Sequence, residues 1–473
     1  MPLLDGISLS GLLLATLLPW LAGTALLRLL LPKSPWTLSL GHGYLLGQLL
    51  VVLLLLAWNR AGLDLAWWPL AGLLALLTLV FGAPSLWRAP ARPRLPSLGW
   101  RDALWLLPLL IFLGLRGSLM AEELALRPLF PWDAWMNWAP RAVVWFEHAQ
   151  LTAFGSPEAW LQTAPGEELY TLGNRPAGNY PPGIPLLLLW HMLGAGSADH
   201  TLVYLPWLLL GPATALALWG HLRAARAGRV LAALAVYALL SMPLPASHMM
   251  LAGYADLWLG VAFTLGVLAL AQLQASGRPG YALLAVAMAL FCGLLKNPGL
   301  GFAALLLGGL VLVYWRPPLR WLLAPTLAGL TLMLLGLLAG LNPDWVAAMD
   351  ARPALDLPGN LPDLKLRLSP LLPYLGETFF VGANWHLLGV LVVAALAASL
   401  LLPGRNSLCD IALFLLVAGT GLLVFVFGFT QYAGNVSVGV TFHRAFLYVV
   451  PLAVYVAFAR LAPLLRAQGA GRC

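Results

Sequence analysis

The stretch LFPWDAWMNWAPRAVVW, residues 129 to 145, sets one carboxylate, Asp133, among four tryptophans, with Arg141 just downstream. A carboxylate positioned beside a hydroxyl can take or orient its proton. Three other short motifs carry charge in apolar surroundings: LAGYADLW with Asp256, LLKNPGL with Lys296, and TFHRAFLY with His443 and Arg444. His248 lies shortly before Asp256, and Tyr180 opens the paired prolines of NYPPGIPLL. Arginine presents a planar fork that fits phosphate oxygens, and lysine a point charge. Lys296, Arg444 and Arg141 are therefore candidates to hold a phosphate. Trp132, Trp135, Tyr180, His248, Asp256 and His443 are candidates to line an aromatic cavity that holds a ring and excludes water. The set suits group transfer from a phosphate leaving group to a hydroxyl, with Asp133 as the base.

Each of these residues also has a plainer reading. Asp133 can solvate a loop, and tryptophans at 132, 135, 138 and 145, spaced along one helix face, can form an interfacial aromatic belt. Asp256 can interact with the dipole of the helix it opens. Lys296 can snorkel from a span end, and Arg444 can anchor the last span. His42, His191 and His221 read as isolated structural histidines. What distinguishes the functional reading is that the candidates fall on one side of a membrane.

That side follows from composition. The chain has 61% hydrophobic and 9% charged residues and a mean hydropathy of +0.86, more apolar surface than a soluble fold of 473 residues could bury. It reads as an all-α polytopic membrane protein. Apolar runs near the ~20 residues needed to cross a bilayer lie at 7–31, 39–58, 65–82, 102–119, 201–220, 230–246, 252–273, 280–295, 299–315, 319–341, 385–402, 409–428 and 443–462, about thirteen spans. The first is read as a retained helix, because MPLLDGISLS carries an acid and no basic flank. GIPLLLLWHMLG, residues 183 to 194, is too short to cross and is expected to return along the outer interface.

Lys and Arg set the orientation. Arg88, Arg92, Arg94 and Arg101, then Arg223, Arg226 and Arg229, then Arg460, Arg466 and Arg472 cluster in alternate loops and the tail, which the positive-inside rule assigns to the cytoplasm. Asp102 and Asp410 are the acids expected on that side. Outer loops then span 120–200 and 342–384, and the candidate site faces outward. Despite a net charge of +8, the basic residues are spread over short loops, not one soluble face, so nucleic acid is not an expected partner. The three cysteines show no CxxC spacing and imply neither a disulfide framework nor a zinc site. No nucleotide-type glycine loop, HExxH, GxSxG or EF-hand pattern occurs.

An acid in a large outer loop, then YPPG, then GYAD before one span and KNPG between two others, resembles the glycosyltransferase C (GT-C) superfamily over residues 102 to 462. The bacterial relatives of protein O-mannosyltransferases and lipid A aminoarabinose transferases are the most similar. The resemblance implies a GT-C-like transmembrane catalytic module at 102–462, with Asp133 as catalytic base or metal-associated residue and an interfacial helix starting at Pro181. It also implies a polyprenyl-phosphate sugar donor and a lipid, glycan or protein acceptor at the outer face of a bacterial inner membrane. Residues 1–101 are then additional N-terminal helices with a cytoplasmic loop, and 463–473 a cytoplasmic tail. The chain departs from the superfamily in the three spans before the one leading to Asp133 and in Pro298 after the KN pair. No second metal-binding acid is placed, so a divalent metal stays open. The alternative from another class is a multi-span transporter or lipid flippase.

Overall fold

A computed structural model describes residues 6–87, 99–316, 319–355, 364–401 and 407–470. Arg88, Arg92, Arg94 and Arg472, four of the arginines that set the expected orientation, lie outside the described residues. The described chain is helical, with only isolated bridge pairings in place of strands. Four long helices come first: α1 Leu9–Leu30, α2 Trp36–Arg60, α3 Trp67–Trp87 and α4 Trp100–Leu126. A polar segment follows with α5 Ala139–His148, α6 Pro157–Leu161 and α7 Gly183–Ala195. The next group is α8 Leu205–Ala224, α9 Arg229–Ser241, α10 Pro243–Met250, α11 Asp256–Ser276, α12 Pro279–Leu295 and α13 Gly299–Trp315. The chain then runs through α14 Leu319–Ala339, α15 Pro343–Asp350, α16 Leu371–Gly376, α17 Leu388–Leu401, α18 Ser407–Phe429, α19 Val440–Ala445 and α20 Val450–Ala470.

All thirteen apolar segments fall on helices, but their lengths differ. Among the described residues seven helices are long and apolar enough to cross a membrane, and up to ten spans result if each of three bent pairs counts as one. The bends are 65° between α9 and α10, 104° between α14 and α15, and 52° at the start of α20. The first has a local cause: Pro243 opens α10 and keeps Met242 out of the helical region, at ψ 134°. The other three segments are α12 and α13, at 17 residues each, and α17, at 14. Thirteen crossings therefore require helices shorter than the usual span.

Packing is tightest around α11, which is buried along nearly its whole length against α12, α13, α18 and α20. The first helices join the same core: α1 packs on α2, α3 and α7, and α2 packs on α8. Gly43 and Gly47 of α2 meet α1 at Thr24 and Pro19, too close for any side chain, the small-xxx-small contact that substitutes for a hydrophobic drive in lipid. A buried pair, His42 Nε2 to His221 Nε2 at 2.7 Å, ties α2 to α8, and His191 bonds the Leu187 carbonyl within its own helix. By contrast Leu104, Leu107, Ile111, Leu115 and Leu119 stand exposed along α4, an apolar face suited to lipid.

One expectation is corrected here. Helix α7 does not lie on a surface facing lipid and water, because all its residues from Gly183 to Ala195 are buried by protein. It is apolar on every side, and α1, α2, α5 and α12 cover it.

The contacts define two ends of the bundle. At one, Ser8 N donates to Ala195 O (2.8 Å), Leu65 N to Ala149 O (2.7 Å), Leu151 N to Asn59 Oδ1 (2.8 Å) and Thr201 Oγ1 to Ala125 O (2.7 Å). At the other, Arg229 pairs with Asp102 at 2.7 Å and Arg460 with Asp410 at 2.9 Å. The two acids expected beside the basic loops are thus paired there. In a background lacking Cys292, Cys409 and Cys473, cysteines replacing the exposed residues Glu168 and Ala224 should react with an impermeant thiol reagent from opposite sides of the membrane. Labelling of both from one side would overturn this division of the ends.

Candidate functional site

Four charged residues from four distant parts of the chain meet at the first of these ends. Asp256 opens α11, Lys296 ends α12, Arg444 stands on α19 and Asp133 follows the turn after α4. Helix ends bring them together, and close contacts between the motifs fix them there. Gly253 of GYAD has φ +104°, and a Cβ on it would run into Ala134, the neighbour of Asp133, so glycine alone suits this position. Gly183 of YPPG lies against the Leu294 carbonyl of LLKNPGL just as closely. At Lys296 itself the backbone is extended, and α13 restarts after Pro298.

Asp256 is the centre of the cluster. Its Oδ1 accepts from Lys296 Nζ and Tyr448 Oη, both at 2.8 Å. Its Oδ2 accepts from Arg444 Nε at 3.1 Å and Nη2 at 2.5 Å. Four donors thus satisfy a carboxylate whose side chain is only 1% exposed, as a buried charge requires. Asp133 accepts from the same Arg444 Nη2 and lies 4.0 Å from Lys296 Nζ. His248 Nε2 approaches Asp256 at 3.9 Å and has no hydrogen-bond partner among the described residues, while its Nδ1 bonds the Leu244 carbonyl. The Arg444 guanidinium lies over the Tyr254 ring at 4.2 Å, a cation–π contact. Two cations thus answer two carboxylates.

The phenols beside this cluster stay protonated. Burial first, and then the Asp133 carboxylate, raises Tyr180 above the ordinary tyrosine range. Burial likewise raises Tyr254, against the opposing effect of Arg444. Both remain hydrogen-bond donors at neutral pH.

Of the residues singled out in the sequence, Asp133, His248, Asp256, Lys296 and Arg444 come together, with Tyr180 near enough to feel the two carboxylates. The others stand apart. Arg141 donates to the Tyr180 carbonyl at 2.8 Å, lies 5.5 Å from the Trp145 ring and pairs with no carboxylate among the described residues. Burial lowers its pKa. His443 Nδ1 accepts from Asn384 Nδ2 at 3.2 Å. Trp132 and Trp135 are 49% and 47% exposed.

The single tryptophan face is also corrected. Trp138 and Trp145 are buried, and Trp138 stacks on Tyr180 at 5.0 Å. The four do not share one face because Ala134–Trp138 forms a π-helical turn before α5, which breaks the α-helical register. Tyr448 and Tyr254 were not singled out beforehand. Tyr448 follows Arg444 by one helical turn and was legible on that spacing; nothing in the sequence points Tyr254 at Arg444.

A divalent metal does not fit this donor set as it stands. Among the described residues no group of three or more His, Cys, Asp or Glu converges, and both carboxylates are committed to cations. Comparison with known protein families, with curated proteins and with solved structures finds no match to this chain.

Asp256→Asn should leave Lys296 and Arg444 without their shared buried counter-charge and destabilise the protein by about 3–5 kcal/mol. Thermal unfolding in detergent reads the effect. An unchanged midpoint would show that Asp256 does not hold the cluster.

Proposed function

We propose that this protein is a membrane glycosyltransferase, moving a sugar from a polyprenyl-phosphate donor to a hydroxyl of a cell-envelope acceptor. The observation that carries the reading is the meeting of a partly open carboxylate, Asp133, with two cations, Lys296 and Arg444, at one end of an apolar helical bundle. A base and a phosphate clamp are what sugar transfer from a lipid phosphate needs. Asp133 takes the acceptor proton. Arg444 and Lys296 stabilise the charge that develops on the departing phosphate. Apolar helices around the end of the bundle suit a donor anchored in the bilayer. The resemblance of the motifs to the GT-C superfamily points the same way, and the glycines of GYAD and YPPG making their closest contacts with the other motifs gives those short matches a physical reason.

On this reading the chain crosses a bacterial inner membrane about thirteen times, with α12, α13 and α17 as short crossings. The ionic cluster faces the exterior or periplasm, and the ends bearing Arg229 and Arg460 face the cytoplasm, in keeping with the positive-inside rule. Residues 102–462 make the catalytic module and the first three helices an addition to it. Lipid, glycan and protein acceptors all offer the required hydroxyl.

One observation favours a second reading, a transporter or lipid flippase. The bend at the start of α20 falls beside Tyr448, and the helix after the α9–α10 bend carries His248; broken helices with buried charges are a transporter device. Turnover separates the two, since purified protein in detergent has no second compartment and a pure transporter forms no product there.

With a polyprenyl-phosphate sugar as donor, Asp133→Asn should cost about 10²-fold or more in turnover, the scale of a general base. Arg444→Lys should restore part of the activity lost in Arg444→Ala, because lysine supplies the charge without the fork. Turnover of the Asp133 variant at the wild-type level would remove it as the base.

A further inference from the structure

Arg444 holds its two carboxylates in different ways. Asp256 accepts from both Nε and Nη2 of the guanidinium and gives its other oxygen to Lys296 and Tyr448. Asp133 touches Arg444 through Nη2 alone and stands 4.0 Å from Lys296. The Asp133 side chain is 13% exposed, against 1% for Asp256. Withdrawing Asp256 would strand two buried cations. Turning Asp133 aside breaks one hydrogen bond, which an incoming anion can replace.

Resting on the functional reading above, we infer that Asp133 is an exchangeable counter-ion, whose place on Arg444 Nη2 is taken by the donor phosphate. While the pair stands, Arg444 holds Asp133 Oδ2. Donor binding releases that oxygen, so both carboxylate oxygens become free to meet a hydroxyl. Asp256 keeps Arg444 and Lys296 in place throughout, so the clamp does not collapse when Asp133 leaves.

The charges balance at each stage. A sugar phosphodiester carries one negative charge, which replaces that of Asp133 at Arg444. In the transfer step the acceptor O–H gives its proton to Asp133 and its oxygen bonds to the anomeric carbon. The bond from that carbon to the phosphate oxygen breaks, and its electron pair stays on the phosphate. The phosphate gains one negative charge as Asp133 loses one, so the total charge facing Lys296 and Arg444 is unchanged. Proton transfer from Asp133 to the departing phosphate or to water restores the carboxylate, which can return to Arg444 as the product leaves.

The test measures binding of farnesyl phosphate, with farnesol as the uncharged control, to purified protein in detergent by tryptophan fluorescence. The proteins are wild type, Asp133→Asn, Asp133→Ser and Asp256→Asn, each checked by size exclusion. Both Asp133 variants should bind farnesyl phosphate about tenfold more tightly than wild type, the effect of removing one competing ion-pair contact, with farnesol binding unchanged. Asp256→Asn should weaken binding. Because it removes the same charge, equal tightening in Asp256→Asn would make the effect general electrostatics and overturn the exchange. Wild-type or weaker affinity in the Asp133 variants would overturn it as well, while leaving the functional reading intact if wild type still prefers the phosphate to the alcohol. If neither wild type nor the variants show that preference, the functional reading fails and takes the exchange with it.

Discussion

Everything at the candidate site depends on the cost of keeping Asp256 charged inside protein. A carboxylate buried to this degree persists only if donors surround it, and here they come from the end of α12, from α19 and from the turn before α20. That requirement fixes where three separate parts of the chain must meet. Breaking α12 after Leu295 frees Lys296 to turn inward, and the short helix α19 presents Arg444 before the chain bends into α20. Asp133 joins this ionic frame through Arg444 Nη2 alone, so it is held by fewer contacts than Asp256.

The site was more legible in the sequence than the fold around it. Asp133, Asp256, Lys296 and Arg444 were each a weak signal and stood out because they fall on one side of the expected membrane; in the structure each is another's partner. Tryptophan spacing misled because a π-helical turn changes the angle per residue, and nothing in AWMNW announces one. Trp132 and Trp135 were therefore placed with Trp138, while only Trp138 reaches Tyr180.

Helix positions followed from hydropathy, but their setting did not. The runs at α12 and α13 have the composition of spans at 17 residues each, and composition does not say whether a short helix crosses, tilts or stops part-way. The same ambiguity hid the environment of α7, since an apolar helix lying on lipid and one enclosed by protein read alike. Three of the four enclosing helices, α1, α2 and α12, are far away in sequence. Glycines were the more reliable guides: Gly253 and Gly183 sit where motifs touch backbone to backbone.

The enclosure of α7 bears on how the motifs are set. At about 1.5 Å per residue, its 13 residues are too short for a hydrocarbon layer about 30 Å thick, and they have no polar side to lie against water. The helix needs a receiving groove. Helices α1, α2 and α5 precede α7 in the chain and line part of it, and α12, which follows, closes it. The groove is therefore complete only when the segment ending at Lys296 is in place, which ties the setting of YPPG to that of Lys296.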